Sequence, residues 1–304
     1  MAVDHYENFP VASRLAPARL RPAIVAIYRF ARTADDVADE GHADATRRLT
    51  DLARMAQAVR ELFADSTRPA APFDDPLLRA VAGLQPHIAP HALRPEPLLD
   101  LLSAFSQDVE KIRYADMTEV LDYCSRSANP VGRLMLRLYD CDHDPAALAQ
   151  ADAICTGLQL VNFWQDVAID LAKPRIYIPR AQMTQFGVDE TQLVAAPARL
   201  MQTEAWRALM RVLVDDARAR LQFGYGLPAH IGGRGGLELR AVIEGGLRIA
   251  ARLDAAAYDV CRARPKLGSI DWLVIAWRTL LQPTQAPQGI ETRLLGPISL
   301  GAPR

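Results

Sequence analysis

The chain has 304 residues, half of them hydrophobic, and its formal net charge is −1 at pH 7. This length allows one large domain or two small ones, with a sizeable core. The near-neutral charge and the absence of Lys/Arg clusters beyond short pairs argue against nucleic acid as a partner. Four cysteines stand singly, which argues against a zinc site or a disulfide framework and favours the reduced cytoplasm.

Apolar residues recur at helical spacing along most of the chain, and alternating β patterns are almost absent. Clusters of Pro and Gly separate the helical stretches, but none is long enough to be a domain linker. The sequence therefore predicts a single all-α domain over 1–285 and a loosely structured tail over 286–304. The predicted helices are 18–40, 43–64, 75–88, 96–110, 116–140, 146–171, 198–223, 236–263 and 269–281.

The first predicted helix contains the acidic stretch TADDVADE. Positions four, seven and eleven residues after Tyr28 lie on one narrow stripe of a helix. They hold Arg32, Asp35 and Asp39, and Asp36 lies on the adjacent arc. The opposite side of the helix is apolar, so this segment alone is typical of an ordinary amphipathic helix.

A second polar stripe lies in the helix predicted over 146–171. It consists of Gln159, Asn162, Asp166 and Asp170. Most other side chains between 151 and 170 are apolar, so we expect this helix to be buried. Buried carboxylates are costly unless they are paired, and the stretch 151–170 contains no Lys or Arg. Its carboxylates must therefore find a cation elsewhere.

Two acidic stripes of matched spacing admit two explanations. One is a pair of internal salt bridges to arginines on other helices. The other is Mg²⁺, which prefers oxygen ligands and is usually held by one or two carboxylates together with substrate phosphate oxygens. We favour the second explanation, which predicts a cavity between helices that holds Mg²⁺ and a diphosphate.

Three stretches resemble the squalene/phytoene synthase family of head-to-head isoprenoid enzymes. They are YRFARTADDVAD (28–39), LDYCSRSANPVG (121–132) and GLQLVNFWQDVAIDLAKPRIYIP (157–179). The resemblance extends from about Phe9 to about Lys266. It implies an isoprenoid-synthase fold, which is a helical bundle around a central cavity, and two Asp-x-x-x-Asp segments that bind Mg²⁺ and prenyl diphosphates.

The resemblance also implies roles for individual residues. The metal ligands would be Asp35, Asp36, Asp39, Asp166 and Asp170. The residues that line the substrate cavity would be Phe9, Tyr28, Arg32, Gln159, Asn162, Arg175 and Tyr177. Tyr123 matches a family tyrosine near the reacting carbons, which makes it a candidate catalytic residue.

The stretch SANPVG (127–132) departs from the pattern of an aromatic residue followed by VAG-x-VG that usual members carry. Together with HYENFPVAS (5–13), which lacks the usual serines, it resembles the hopanoid-pathway branch of the family. That branch is implied to ionise presqualene diphosphate and to capture the carbocation with water, without NADPH. We hypothesise that a helix break at Asn129-Pro130 admits or orients this water, with Asn129 catalytic. A packing kink is the alternative.

Rival functions remain open. The chain resembles family members that join two prenyl diphosphates, and a non-catalytic helical assembly factor or a terpene cyclase is a weaker alternative.

The expected partners are a prenyl diphosphate and, through functional coupling, other squalene-pathway enzymes. No apolar run reaches the about 20 residues that span a bilayer. The predicted location is the cytoplasm, with peripheral membrane contact through apolar faces near 73–102. The glycine-rich stretch GGRGG (232–236) is predicted to be a turn between helices.

Overall fold

The computed structural model of the protein describes residues 16–65, 74–173 and 175–281. Phe9 and the tail predicted over 286–304 lie outside these ranges. The described residues are mostly helical, and no strand occurs among them; a single parallel bridge pairs Arg113 with Ile176. The prediction of an all-α protein is confirmed.

The described chain forms fifteen α-helices and one short 3-10 turn. The first eight helices are α1 (Arg21–Asp39), α2 (Ala45–Ala64), α3 (Pro76–Ala82), α4 (Gln85–His91), α5 (Glu96–Glu110), α6 (Met117–Ser127), α7 (Asn129–Leu138) and α8 (Pro145–Asp170). The others are α9 (Arg180–Gln185), α10 (Glu190–Ala195), α11 (Pro197–Leu200), α12 (Glu204–Phe223), the 3-10 turn Gly224–Gly226, α13 (Leu227–Ile231), α14 (Gly233–Ala255) and α15 (Ser269–Leu281).

Side-chain caps begin several of these helices. Asp44 accepts a hydrogen bond from the amide of Arg47, three residues into α2, at 2.8 Å. Asp75 and Asp189 cap α3 and α10 in the same manner, and Thr203 caps α12. Each cap satisfies a backbone N–H that has no partner within its own helix. The starts of these helices are therefore determined by residues that are close together in sequence.

Two predicted helices are divided in the structure. The helix predicted over 75–88 separates into α3 and α4 near Gly83, and the one predicted over 116–140 separates into α6 and α7 at Ala128. Pro130 lies in the first turn of α7, where its missing N–H costs no intrahelical hydrogen bond. A helix break therefore lies next to Asn129-Pro130, and its role in placing a water molecule stays a prediction.

The glycine-rich stretch is placed differently from its prediction. Only Gly232 connects α13 to α14, and residues 233–236 already belong to α14. Gly232 and Gly233 have φ of 68° and 54°, a backbone region that glycine adopts without steric cost. The last helical residue of α14 is Ala255, eight residues before the predicted end at 263.

The chain divides into two compact units. The N-terminal unit contains the described residues up to Lys111 together with Tyr123–Asp152. The C-terminal unit contains Ile112–Asp122 and the described residues from Ala153 onward. The single domain expected over 1–285 stays a prediction.

The core of the N-terminal unit is built from the inner faces of α1, α2, α3, α5 and α7. Phe30 of α1, Leu52 and Met55 of α2, and Leu98 and Leu101 of α5 are almost completely buried there. Because α1 buries this face, its acidic stripe lies on the other side of the helix.

The core of the C-terminal unit surrounds two buried tryptophans. The indole of Trp164 donates to the carbonyl of Leu213 at 3.1 Å, and that of Trp206 donates to the carbonyl of Tyr258 at 3.0 Å. At Gly157 an added Cβ would lie 3.0 Å from the carbonyl oxygen of Ala217, so α8 and α12 approach closely at this point. This packing holds the second acidic segment on a rigid helix.

Candidate active site

The first acidic segment is organised by an arginine of its own helix. The guanidinium of Arg32 contacts Oδ2 of Asp35 at 2.9 Å and Oδ1 of Asp36 at 2.7 Å. All three side chains are partly exposed, as are Tyr28 and Asp39 on the same helix. The structure therefore brings Arg32 and two of the predicted metal ligands together, in a position that solvent ions can reach.

The second acidic segment finds its cation far along the chain. Nη2 of Arg264 donates to Oδ2 of Asp166 at 3.1 Å, and Nε donates to Oδ1 of the same carboxylate. Arg264 follows α14 and is 98 residues from Asp166 in sequence. A bidentate pair of this kind is among the stronger ionic contacts in proteins. For Asp166, the structure contains the arginine salt bridge that was the alternative to a metal.

The polar stripe of α8 is more open than the rest of this largely buried helix, and the side chain of Asp166 is 20% exposed. Gln159 and Asp170 are also partly exposed, and Asn162 is exposed. The reason is that α8 buries its apolar residues against the C-terminal unit and leaves the polar stripe on its more open side.

Gln165 is a neighbour of this site that sequence analysis did not identify. It is almost completely buried, and its side-chain amide donates to the carbonyl of Pro265 at 2.5 Å. Gln165 and Asp166 thus hold consecutive residues, Pro265 and Arg264, against α8. The basic run RAR at 262–264 was the available signal, but nothing in its spacing indicates which acid it meets.

The segment that follows α8 carries a stacked aromatic cluster. The rings of Phe163 and Tyr177 are parallel within 8°, with centroids 3.8 Å apart, and Tyr114 stacks on Tyr177 at 5.5 Å. Nη1 of Arg175 donates to the hydroxyl of Tyr177 at 3.1 Å. The structure therefore brings together Arg175 and Tyr177, the two cavity residues predicted after α8.

Tyr123 lies buried in α6, and its hydroxyl donates to Oδ2 of Asp108 at 2.5 Å. Asp108 is itself buried near the end of α5. Sequence analysis missed Asp108, because a lone aspartate in the last turn of an amphipathic helix reads as a surface residue. Both members of this pair belong to the N-terminal unit.

Asn129 is the first residue of α7, directly after the break at Ala128, and it is buried. The buried side chain of Asn129 therefore lies close to the first backbone N–H groups of α7, which have no partner within the helix. This arrangement is compatible with the hypothesis that the break orients a water molecule.

The oxygen atoms of the acidic segments can be compared with the ligands that Mg²⁺ prefers. Asp35, Asp36 and Asp39 offer carboxylate oxygens on one accessible helix face, which are the ligands that Mg²⁺ prefers. In the described parts of the chain, a tight group of three potential ligands occurs instead at Asp140, Asp142 and His143. That group lies in the turn after α7, where Arg137 binds Asp142 at 3.0 Å.

Comparison with known proteins identifies the family. A model of the squalene/phytoene synthase family matches residues 2–271. The chain is 35% identical over 216 residues to the hydroxysqualene synthase of Rhodopseudomonas palustris, covering 70% of this chain and 69% of that protein. It is 34% identical over 191 residues to the phytoene synthase of Cereibacter sphaeroides, covering 62% and 53%.

A solved structure shows the same relationship. The crystal structure of the squalene synthase HpnC from Alicyclobacillus acidocaldarius superposes with a TM-score of 0.73 at 35% identity, covering 85% of this chain and 92% of that one. The fold is therefore that of the all-α isoprenoid synthases. The chain belongs to the squalene/phytoene synthase family, whose members are isoprenoid-synthesising enzymes.

Proposed function

We propose that the protein is an enzyme of hopanoid biosynthesis that converts presqualene diphosphate to hydroxysqualene, with release of diphosphate. The observation that carries the proposal is that each acidic segment pairs with an arginine, Asp35 and Asp36 with Arg32 and Asp166 with Arg264. Carboxylates for a divalent cation and guanidinium groups for phosphate oxygens are the components that diphosphate ionisation requires. The similarity to a hydroxysqualene synthase and the SANPVG stretch support the choice of reaction within the family.

The carboxylates of the two acidic segments would hold Mg²⁺, which supplies positive charge to the leaving diphosphate. The chain's own residues do the rest of the binding. Once its carboxylate partners bind a metal, the guanidinium of Arg32 can donate to phosphate oxygens, and Arg264 can do the same. Their task is to hold the diphosphate while the carbon–oxygen bond breaks.

The carbocation needs walls that are apolar or aromatic and that offer no nucleophile. Phe163 and Tyr177, which stack on each other, are candidates for such a wall, and Tyr28 is a further candidate on α1. Cation–π attraction contributes about 0.5–2 kcal/mol per ring. Such walls would keep bulk water away from the carbocation until the water molecule that forms the alcohol reaches it.

The Tyr123 hydroxyl has one fixed orientation because it donates to the buried Asp108. The water that attacks the cation must lose a proton, and this pair offers a buried acceptor for it. Asn129 would hold the water at the start of α7, where the amide is buried.

A second candidate function is the condensation of two prenyl diphosphates, which the similarity to a phytoene synthase favours. It would use the same acidic segments and the same arginines. The two reactions differ in their substrates, so a product analysis separates them. A non-catalytic assembly factor is the less favoured alternative, because it would have no need of two acidic segments.

The test is to incubate the purified chain with Mg²⁺ and without NADPH, either with presqualene diphosphate or with farnesyl diphosphate, and to identify the lipid product. We expect hydroxysqualene from presqualene diphosphate and no turnover after EDTA treatment. Consumption of farnesyl diphosphate alone would assign the chain to the condensing enzymes. No product from any prenyl diphosphate would favour the assembly factor.

The proposed reaction also places the chain between two other reactions. Its substrate is the product of a condensation of two prenyl diphosphates, and its alcohol product needs a reductive removal of the hydroxyl to become squalene. Functional coupling to enzymes of these classes, and a cytoplasmic location at the inner face of the membrane, are parts of the proposal.

A further inference from the structure

Helix α15 exposes a continuous apolar surface. The side chains on it are between 43 and 70% exposed, although all are large and apolar. They are Ile270, Trp272, Leu273, Trp277, Leu280 and Leu281. Residues 270, 273, 277 and 280 follow helical spacing and therefore form one stripe, with Trp272 and Leu281 beside it. Large exposed apolar patches on a soluble domain mark an interaction site.

The opposite face of α15 is firmly attached to α14. Asp271 is fully buried and accepts hydrogen bonds from Arg248 at 2.5 Å, from Arg252 at 2.7 Å and from the amide of Gly268 at 2.7 Å. About two turns later, Arg278 contacts the buried Glu244 at 3.4 Å. These contacts fix which face of α15 points outward, so the exposure of the apolar stripe follows from the packing of the helix.

The exposed charges that lie near the apolar stripe in sequence have one sign. Between Val260 and Leu281 the basic residues are Arg262, Arg264, Lys266 and Arg278. Arg264 pairs with Asp166 and Arg278 with Glu244, whereas Arg262 and Lys266 are exposed. The single acid in this segment is Asp271, which is fully buried and neutralised by two arginines. The exposed charge in the segment that leads into α15 is therefore positive and comes from Arg262 and Lys266. Apolar side chains with tryptophans and basic neighbours are the composition of helices that lie in a membrane interface.

We propose that α15 is a docking helix that lies in the surface of an anionic lipid bilayer, with Leu273 and Trp277 inserted. An anionic bilayer matches both the apolar stripe and the positive charge. A second copy of the chain fits less well, because a two-fold contact through the same helix would bring basic side chains against each other. The inference does not depend on which prenyl diphosphate the enzyme uses.

This surface differs from the one expected from sequence. Between residues 74 and 102, where peripheral membrane contact was expected, no large apolar side chain is exposed. Among the described residues, no helix combines the length and the hydropathy needed to cross a membrane.

The test is vesicle flotation of the full chain, with vesicles of phosphatidylcholine alone or with about 30 mol% phosphatidylglycerol. We expect binding to the anionic vesicles and at least about tenfold weaker binding to the neutral ones. The double variant Leu273→Ser/Trp277→Ser should lose at least about tenfold in affinity for anionic vesicles. Both residues are exposed, so the fold should be unaffected. The matched control is Val194→Ser, which replaces an exposed apolar residue of α10 and should bind normally.

Tryptophan fluorescence gives a second reading of the same contact. Trp164 and Trp206 are fully buried, so a blue shift on adding anionic vesicles must come from Trp272 and Trp277, which are exposed. Without vesicles, iodide should quench these two residues in the monomeric full chain.

Three outcomes would overturn the proposal. The first is a full chain that does not float with anionic vesicles, and the second is a double variant that floats as well as the unchanged chain. The third is protection of Trp272 and Trp277 from iodide without vesicles. In that case, self-association that the double variant abolishes would assign the surface to a second copy, and protection in a monomer would assign it to another segment of this chain.

Discussion

Arginines form ion pairs with individual carboxylates at the candidate site. Arg32 is shared between Asp35 and Asp36, whereas both oxygens of Asp166 accept hydrogen bonds from Arg264. A cation that binds Asp166 must compete with a bidentate guanidinium. The ion pair and the metal are therefore linked alternatives for the same oxygens, and the linkage can be measured.

We expect the substitution Arg264→Gln to strengthen the binding of Mg²⁺ to the substrate-free chain by about tenfold, because it removes a positive charge that competes for Asp166. Isothermal titration calorimetry measures this affinity directly. The control is Arg180→Gln, which removes an exposed partner of Glu190 and should leave the affinity unchanged. Equal affinities for Arg264→Gln and the unchanged chain would mean that Asp166 does not bind Mg²⁺.

Asp271 should be important for stability. We expect Asp271→Asn to lower the free energy of unfolding by about 2–3 kcal/mol, because a fully buried carboxylate with two arginine partners and one amide is lost. Chemical denaturation measures the loss. The control Asp254→Asn removes a more exposed carboxylate that pairs with Arg218, and its cost should stay below about 1 kcal/mol. Equal costs would contradict this interpretation of the α14–α15 contact.

The same residue should make the stability depend on pH. Burial raises the pKa of Asp271, but hydrogen bonds from Arg252, from the amide of Gly268 and from Arg248 outweigh it, so the pKa lies well below its ordinary value of 3.8. Because the folded pKa is lowered, the stabilisation is complete above the ordinary pKa and is lost as the pH falls below 3.8 toward the folded pKa. Acid unfolding of Asp271→Asn should accordingly show a shallower pH dependence in this range.

The pair of Tyr123 and Asp108 offers a test of catalysis. We expect Tyr123→Phe to lower kcat by about 10–100-fold, because the proposed function assigns this hydroxyl a part in the proton transfer. The expected loss of stability is about 1–2 kcal/mol, since a buried hydrogen bond to a carboxylate disappears. Steady-state kinetics and denaturation separate the two effects, and Tyr139→Phe, at the residue that directly follows α7, is the control. A destabilised variant with unchanged kcat would show that the pair is only structural.

At the scale of helices, close backbone approach decides how α8 packs. An added Cβ at Gly157 would meet the carbonyl oxygen of Ala217 at 3.0 Å and Cγ of Leu221 at 2.9 Å, and the carbonyl cannot move without shifting α12. At Gly246 the nearest atoms belong to the flexible ends of Leu158 and Leu221. A side chain can adapt more readily than a backbone.

We therefore expect Gly157→Ala to destabilise the protein by about 2 kcal/mol and Gly246→Ala by less. Thermal or chemical denaturation of the purified variants provides the measurement. The control is Gly83→Ala, where φ is −61° and the nearest atoms are 3.5 Å away, so the change should stay within about 0.5 kcal/mol. If all three variants behave alike, the close approach of α8 and α12 does not contribute to stability.

The helices that sequence analysis located best are long enough to show several turns of apolar periodicity. The predictions over 96–110 and 269–281 coincide with α5 and α15. The short helices α9, α10, α11 and α13 were missed, because helices of four to six residues show too little periodicity to be recognised. Such helices depend on the rest of the molecule for their stability.

For the molecule as a whole, the two acidic segments belong to different units of the chain. The family resemblance implies that both are needed for the reaction. We expect Asp35→Asn/Asp39→Asn and Asp166→Asn/Asp170→Asn each to reduce turnover by at least about 1,000-fold, since the charge on the diphosphate would no longer be neutralised. Product formation from a prenyl diphosphate in Mg²⁺ is the measurement. Asp140→Asn/Asp142→Asn, in the exposed acidic turn after α7, is the control. Full activity in either acidic-segment variant would contradict the proposed function.

The candidate site could be predicted from sequence only in part. Arg32 and its two aspartates lie within one turn of one helix, so their proximity follows from helical spacing. Arg264 and Asp166 are separated by 98 residues, and Tyr123 and Asp108 by 15. Spacing along a helix contains no information about such pairs, because they depend on how separate helices pack.

The sequence by itself determined the helical class, the spacing of the acidic stripes and the family, because helical periodicity and motifs are properties of neighbouring residues. Only the tertiary structure decided which arginine holds Asp166, which acid receives the hydroxyl of Tyr123, and which side of α15 stays exposed. Leucine and tryptophan occur around much of α15, so its pattern does not show which face is covered. The burial of Asp271 against α14 makes that choice, since a buried carboxylate must meet its arginines.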